Sequence, residues 1–209
     1  DHEIAAQLGP TGYDLYQGST GIALFLACLS KGGDADAKAQ SIAALGGVIQ
    51  YSESGDLARL TRSIGIGGMV GIGSIVYGLG AVADLLSYEP ALHGAERFAA
   101  AISDEAIAVD DRFDVVSGAA GATLSLLALH RRSGSARWLE RAVACGEHLL
   151  KHRNAEDGQW TSAAFSRPLT GFAHGAAGIA LAMSRLYRAT CDERFRLAAQ
   201  AAVAFENTH

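Results

Sequence analysis

The sequence predicts an all-α chain of the α/α toroid type, an inner ring of helices wrapped by an outer one. Three observations carry the prediction. The pattern Gly-x-x-Gly followed by an apolar run appears four times, starting at Gly18, Gly68, Gly118 and Gly175, with first glycines 50, 50 and 57 residues apart. A recurrence of that size marks one supersecondary unit stacked on copies of itself. Amphipathic stretches lie between the apolar runs, and no alternating strand of useful length interrupts them.

The elements follow in order. Residues 1–17 are a lead-in with a turn at Gly9, Pro10 and Gly12. Each Gly-x-x-Gly opens an inner helix. The run Ile179, Ala180, Leu181, Ala182, Met183, Leu186 and Tyr187 leaves almost no polar face, and Ile22–Leu29 and Ala122–Leu129 read alike. A helix apolar all round is buried all round, so the inner ring should be shielded on every side. The outer helices are wet on one side. In the third unit Trp138, Leu139, Ala142, Val143, Gly146, Leu149 and Leu150 share one face, with Arg137, Glu140, Arg141, Glu147, His148 and Lys151 on the other. Stretches 34–51, 94–109 and 192–206 repeat this pattern, with Asp34 and Asp192 as N-caps. Pro10, Pro90 and Pro168 should fall between helices. Four hairpins are few for a closed ring. The expectation is therefore an incomplete toroid, residues 1–209 being part of one domain with further hairpins beyond them.

Composition narrows the partners. With 49% hydrophobic and 19% charged residues and a net charge of -5, the chain is globular and has no basic stripe for a phosphate backbone. Nucleic acid is excluded on that ground. Ile64–Ala83 runs twenty residues without a charge, but seven are glycine and no basic cluster flanks it. It reads as a buried helix entered through a glycine turn, not as a membrane span. Cys28, Cys145 and Cys191 are an odd set with no CxxC pair, which points to incidental thiols in a reducing, cytoplasmic setting.

Glycines three apart at a helix start permit close backbone approach, and they leave the first amides of the helix open to an anion. If all inner helices begin at one end, the four turns ring one mouth. Chemistry enters through their neighbours. Asp114 stands four residues before Gly118, and His174 directly before Gly175; the matching places hold Asp14 and Gln17 in the first turn, Ile64 and Gly67 in the second. A carboxylate and an imidazole at one mouth can share acid–base work. The blander alternatives are a loop-capping aspartate and a satisfied polar histidine. His148 and His152, four apart on an outer helix, have no third ligand nearby and read as a solvated pair rather than a metal site. His93, His130 and His209 read as linker or helix-end residues, and Asp157-Gly158-Gln159-Trp160 as a turn whose aromatic packs a loop down.

Four segments taken together, Leu15–Leu26, Gly65–Ser74, Phe113–Gly121 and Gly171–Leu181, resemble the lanthionine synthetase C-like family, most of all the cyclase domain of class II lanthipeptide synthetases. The resemblance covers nearly the whole chain and implies an α/α toroid. It also implies an activity, the addition of a precursor peptide's cysteine thiol across dehydroalanine or dehydrobutyrine to close a thioether ring. A free thiol has a pKa of about 8.5, and in this family a zinc ion overcomes that. By resemblance Asp114 and His174 match the polar residues beside the zinc that are not its ligands. The family's ligands are two cysteines and a histidine, the last two in a Cys-His-Gly sequence that is absent here. The metal-bearing hairpins are accordingly expected after residue 209 and the dehydratase part before residue 1. The isolated 209 residues should neither hold catalytic zinc nor cyclise a peptide. Two other classes stay open: a metal-free peptide-binding scaffold of the same fold, and a toroidal glycosidase or terpenoid cyclase. The last is disfavoured by 7% aromatic content and the lack of an acidic partner for Asp114.

Overall fold

The computed structural model describes residues 11–154 and 158–208. The described residues form ten helices and no strand: α1 (Ser19–Lys31), α2 (Ala37–Ser54), α3 (Leu57–Ile64), α4 (Ile72–Leu86), α5 (Glu89–Ala100), α6 (Asp104–Ala108), α7 (Ala119–Ser133), α8 (Ala136–Lys151), α9 (Ala176–Thr190) and α10 (Glu193–Glu206). The inner helices α1, α4, α7 and α9 stand in a row, each packed on the next. Each inner helix also packs on the outer helix that follows it: α2, α5, α8 and α10. The fold is that of an α/α toroid, with two layers sharing one core.

The core follows from residue size. Large side chains such as Leu45, Leu79, Phe98, Leu126, Leu149, Met183 and Phe195 are fully buried between the layers. Alanines at Ala23, Ala27, Ala120, Ala122, Ala182 and Ala198 are buried as well, and such small residues bring helix axes close together. Gly146 serves the same end on α8, since a Cβ there would lie 2.3 Å from Leu186 and 2.9 Å from the Phe195 ring.

Two expectations are corrected. Three of the four inner helices keep an exposed stripe at helical spacing, whereas α7 is buried from Ala119 to Leu129 but for half-buried Leu124, as expected. On α1 the stripe is Ile22, Phe25 and Leu29; on α4, Tyr77 and Asp84; on α9, Leu181, Arg185 and Arg188. An apolar sequence cannot tell a side chain facing the core from one facing the hollow of an arc, because both are greasy. Pro90 sits inside the first turn of α5, where its missing N–H has no intrahelical partner to lose.

One linker helix, α3, was not announced by periodicity, and the expected helix 94–109 is instead split between the end of α5 and α6. Short α3 is capped by Asp56, whose carboxylate accepts the Arg59 N–H, and α6 by Ser103, which accepts from Ala106. Asp192 caps α10, as expected, whereas the N-cap of α2 is Asp36, and Asp34 closes the turn ahead of it by accepting the N–H groups of Asp36 and Ala37. Trp160 is buried with its indole N–H on the Leu149 carbonyl, which pins its loop to α8. Asp157 and His209 lie outside the described residues.

Candidate functional site

The glycine turns meet one another through their backbones. The N–H of Tyr16 in the first turn donates to Met69 in the second; those of Gly68, Met69 and Val70 donate to Val115 and Val116 in the third; that of Val116 donates to Ala173 in the fourth. All four turns therefore line one edge of the arc, joined in series. Glycine is obligatory where they touch: a Cβ on Gly121 would lie 2.1 Å from the Val115 oxygen and 2.3 Å from the Gly68 nitrogen.

The register of the second turn differs from the sequence reading. The helix N-caps are Gly18, Gly71, Gly118 and Gly175, 53, 47 and 57 residues apart, so the second glycine of that pair, not the first, matches the others. Ser74 then stands where the other turns have their second glycine. The correct counterparts of Asp114 and His174 in the second turn are Gly67 and Val70, not Ile64 and Gly67. Hydrogen bonds fix the alignment: Ser19, Ile72 and Ala176, each the first helical residue, donate to the carbonyl six residues before the cap, at Gly12, Gly65 and Leu169. A Gly-Gly-x-x-Gly sequence offers both registers, and sequence alone picked the wrong one.

Those bonds also correct the expected anion site. The first amides are taken by the loops that precede them: Gly73 and Ser74 donate to Ile66 and Gly67, Ala120 and Gly121 to Phe113 and Asp114. In the fourth turn Ala177 donates to the Glu206 carboxylate on α10, which also holds the Gly171 N–H. The starts of α4, α7 and α9 thus close on their own chain, and at α1 the Ser19 amide does so on Gly12.

Asp114 and His174 come together. His174 Nδ1 lies 2.7 Å from Asp114 Oδ2, a contact bridging the third and fourth turns. The Asp114 side chain is 4% exposed and that of His174 42%. The other Asp114 oxygen accepts the Ser117 N–H at 2.7 Å, just as Asp14 accepts the Gln17 N–H in the first turn. Capping the loop is thus a duty shared by both aspartates, and holding an imidazole belongs to Asp114. The Phe165 ring lies 5.5 Å from that of His174, against one side of it.

A family model described as lanthionine synthetase C-like protein matches residues 9–209, nearly the entire chain. The chain belongs to this family. No match was found among curated proteins.

In this lanthionine synthetase C-like chain the loop bearing Asp114 is braced by residues that sequence reasoning passed over. The Asp110 carboxylate, 4% exposed, accepts the N–H groups of Arg112, Phe113 and Ala119, and so caps α7 across the turn. Burial raises its pKa, more than these donors lower it. His148 is buried on α8 and donates from Nε2 to the Asp110 carbonyl at 2.8 Å. Its Nε2 is 4.0 Å from the carboxylate, farther than from the carbonyl, and burial lowers its pKa. The solvated reading is corrected for His148 alone; His152 is exposed, as expected. Both rings stack near Phe113, at 5.7 and 5.4 Å, and Phe113 takes the left-handed φ of 65° immediately before Asp114. An aromatic in that conformation is held by surroundings that over-determine it. A DxxFD spacing before a glycine turn, with a histidine on the next outer helix, is the signal that would have found this brace.

Among the described residues no three His, Cys, Asp or Glu gather as a metal-binding group. Cys145 is buried and its thiol is pushed up to about 12 by desolvation; Cys28 and Cys191 are exposed at the far ends of α1 and α9. These residues do not fit a zinc ion. No helix among the described residues is long and apolar enough to cross a membrane.

Proposed function

We propose that the chain carries the proton-handling half of a thioether-forming cyclase that acts on a lanthipeptide precursor in the cytoplasm. The Asp114–His174 contact at the mouth of the turns is the observation that supports this most. Addition of a thiol across a dehydrated residue forms S–Cβ and moves one proton from sulfur to Cα. A single base that accepts the proton and then returns it keeps the balance. His174, half-exposed, is the group that can reach a substrate. Asp114 is buried with both oxygens engaged, so it acts through His174: a carboxylate accepts, hence Nδ1 carries the hydrogen and Nε2 is left free for the exchange. A cleft of about 610 Å³ lies between α3, α6 and the second and third turns; it reaches Ser117, whose amide Asp114 holds, but neither Asp114 nor His174 lines it.

Zinc, which the family uses to activate the thiol, would need ligands from outside the described residues. The test is ring closure on a dehydroalanine peptide by the enzyme containing this chain together with its metal-bearing part. His174→Ala should slow closure about 100- to 10,000-fold, the range of a lost acid–base group. Closure at the parent rate would overturn the assignment. That no three His, Cys, Asp or Glu gather among the described residues favours a second reading, a metal-free scaffold that binds the peptide without altering it. Peptide binding with no ring closure in the longest natural form of the protein would select it.

A further inference from the structure

The groove along α7 and α9 has a charge pattern that the acid–base pair does not explain. Its volume is about 550 Å³, and its apolar floor includes Tyr77, Leu124, Leu127 and Leu181. Arg131, Arg185 and Arg188 line its far end, and no acidic residue lines it anywhere. Spacing puts these side chains in register: Leu124, Leu127 and Arg131 follow one stripe of α7, and Leu181, Arg185 and Arg188 one stripe of α9. The neighbouring Arg132 is already paired, at 2.6 Å from Asp84, whereas Arg131, Arg185 and Arg188 make no ion pair or side-chain hydrogen bond among the described residues. A helix dipole accounts for cations in a last turn. Arg185 lies five residues before the end of α9, beyond that reach.

We propose that this groove binds an acidic peptide segment, carboxylates on the three arginines and apolar side chains on the leucine floor; it rests on the reading of the chain as peptide-processing. Three cations on a chain of net charge -5 are too few for a nucleic acid backbone, and an apolar floor suits side chains rather than phosphates. Along the helix axes Arg185 and Arg131 stand roughly 15 and 20 Å from their glycine caps, at 1.5 Å per residue. An extended chain covers that distance in about five or six residues. The acidic segment is therefore placed about that far along the peptide from the residue at His174.

Fluorescence anisotropy with the 209-residue chain tests this, using a labelled Asp-Leu-Glu-Leu-Asp peptide and its Asn-Leu-Gln-Leu-Asn counterpart. The acidic peptide should bind at least tenfold more tightly, and the preference should fade with salt. Replacing Arg131, Arg185 and Arg188 together by Gln should weaken it about thirtyfold, near threefold for each half-exposed charge. Arg185→Gln alone gives the same direction if the triple variant fails to fold. Equal binding of both peptides, or unchanged affinity in the variants, would sink the proposal. So would a thymidine oligonucleotide or phosphatidylserine vesicles binding as tightly as the acidic peptide. The probe contains no dehydrated residue, so this result is independent of ring closure. Acid-selective binding with His174→Ala still closing rings removes the reading of the pair and keeps the groove; the converse keeps the pair and removes the groove.

Discussion

A methyl group at Gly121 tests how the glycine turns are joined. Gly121→Ala places a Cβ 2.1 Å from the Val115 oxygen, 2.3 Å from the Gly68 nitrogen and 2.7 Å from the Gly68 Cα. All three are backbone atoms, so no side chain can swing aside. Either α7 moves off the second turn or the turn moves off α7, and the bond from Gly68 N–H to the Val115 carbonyl breaks with it. Overpacking of this kind costs about 1–3 kcal/mol and the lost bond about 1 more, so a destabilisation near 3 kcal/mol is expected. For a chain of this length that corresponds to a fall in Tm of about 6–12 °C. Gly46→Ala is the control. It sits in the middle of α2 with nothing within 4 Å of its would-be Cβ, and alanine there should stabilise by about 0.5–1 kcal/mol. Thermal unfolding followed by circular dichroism reads both. If Gly121→Ala melts with the parent protein, the turns are not in the contact described, and the placement of Asp114 against His174 loses its support.

Three further outcomes are expected. His148 is held below its ordinary value of 6.5 by burial, with Asp110, Phe113, Lys151 and His152 around it, so the unfolded chain takes up a proton there before the folded one does. Stability contributed by this group is present above pH 6.5 and is lost as pH falls toward the folded pKa; denaturant titrations between pH 7.5 and 5.5 should show a shallower slope for His148→Gln. In Ellman titration of the folded chain Cys28 and Cys191 should react, and Cys145 only after unfolding, since its thiol is buried and pushed up to about 12. Rapid modification of all three would contradict the packing of α8. Finally, the 209-residue chain, dialysed against zinc and measured by atomic emission, should retain far less than one equivalent and should leave a dehydroalanine peptide unchanged. Stoichiometric zinc with turnover would refute the account of its ligands.

Much of this architecture could be read from residue order, for a physical reason. Glycine pairs before apolar runs mark helix starts because close backbone approach tolerates no Cβ, and four of them revealed the repeat. Asp114 and His174 were legible by position, each just ahead of such a start. Other features were hidden. The slip in the second turn came from a run with glycine at 65, 67, 68, 71 and 73, where several frames satisfy the same pattern. The closure of the helix amides depends on carbonyls, which every residue has and no sequence displays. Asp110 and His148, 38 residues apart, meet through packing of α8 on its loop, and their residue types gave no local sign of burial. Stripes on α1 and α9 looked like core because leucine and phenylalanine are written alike in either setting.

The uneven intervals between caps, 53, 47 and 57, have a consequence for how such a protein can vary. Turns and inner helices are locked to their neighbours atom by atom, so they cannot change length. The surplus residues collect in the stretches that bring the chain back from the outer layer: α3 after α2, α6 after α5, and the Trp160 loop after α8. Those return paths are where insertions can be accepted at little cost, and they open beside the row of turns. Diversity in what the protein handles can accumulate there while the chassis stays constant.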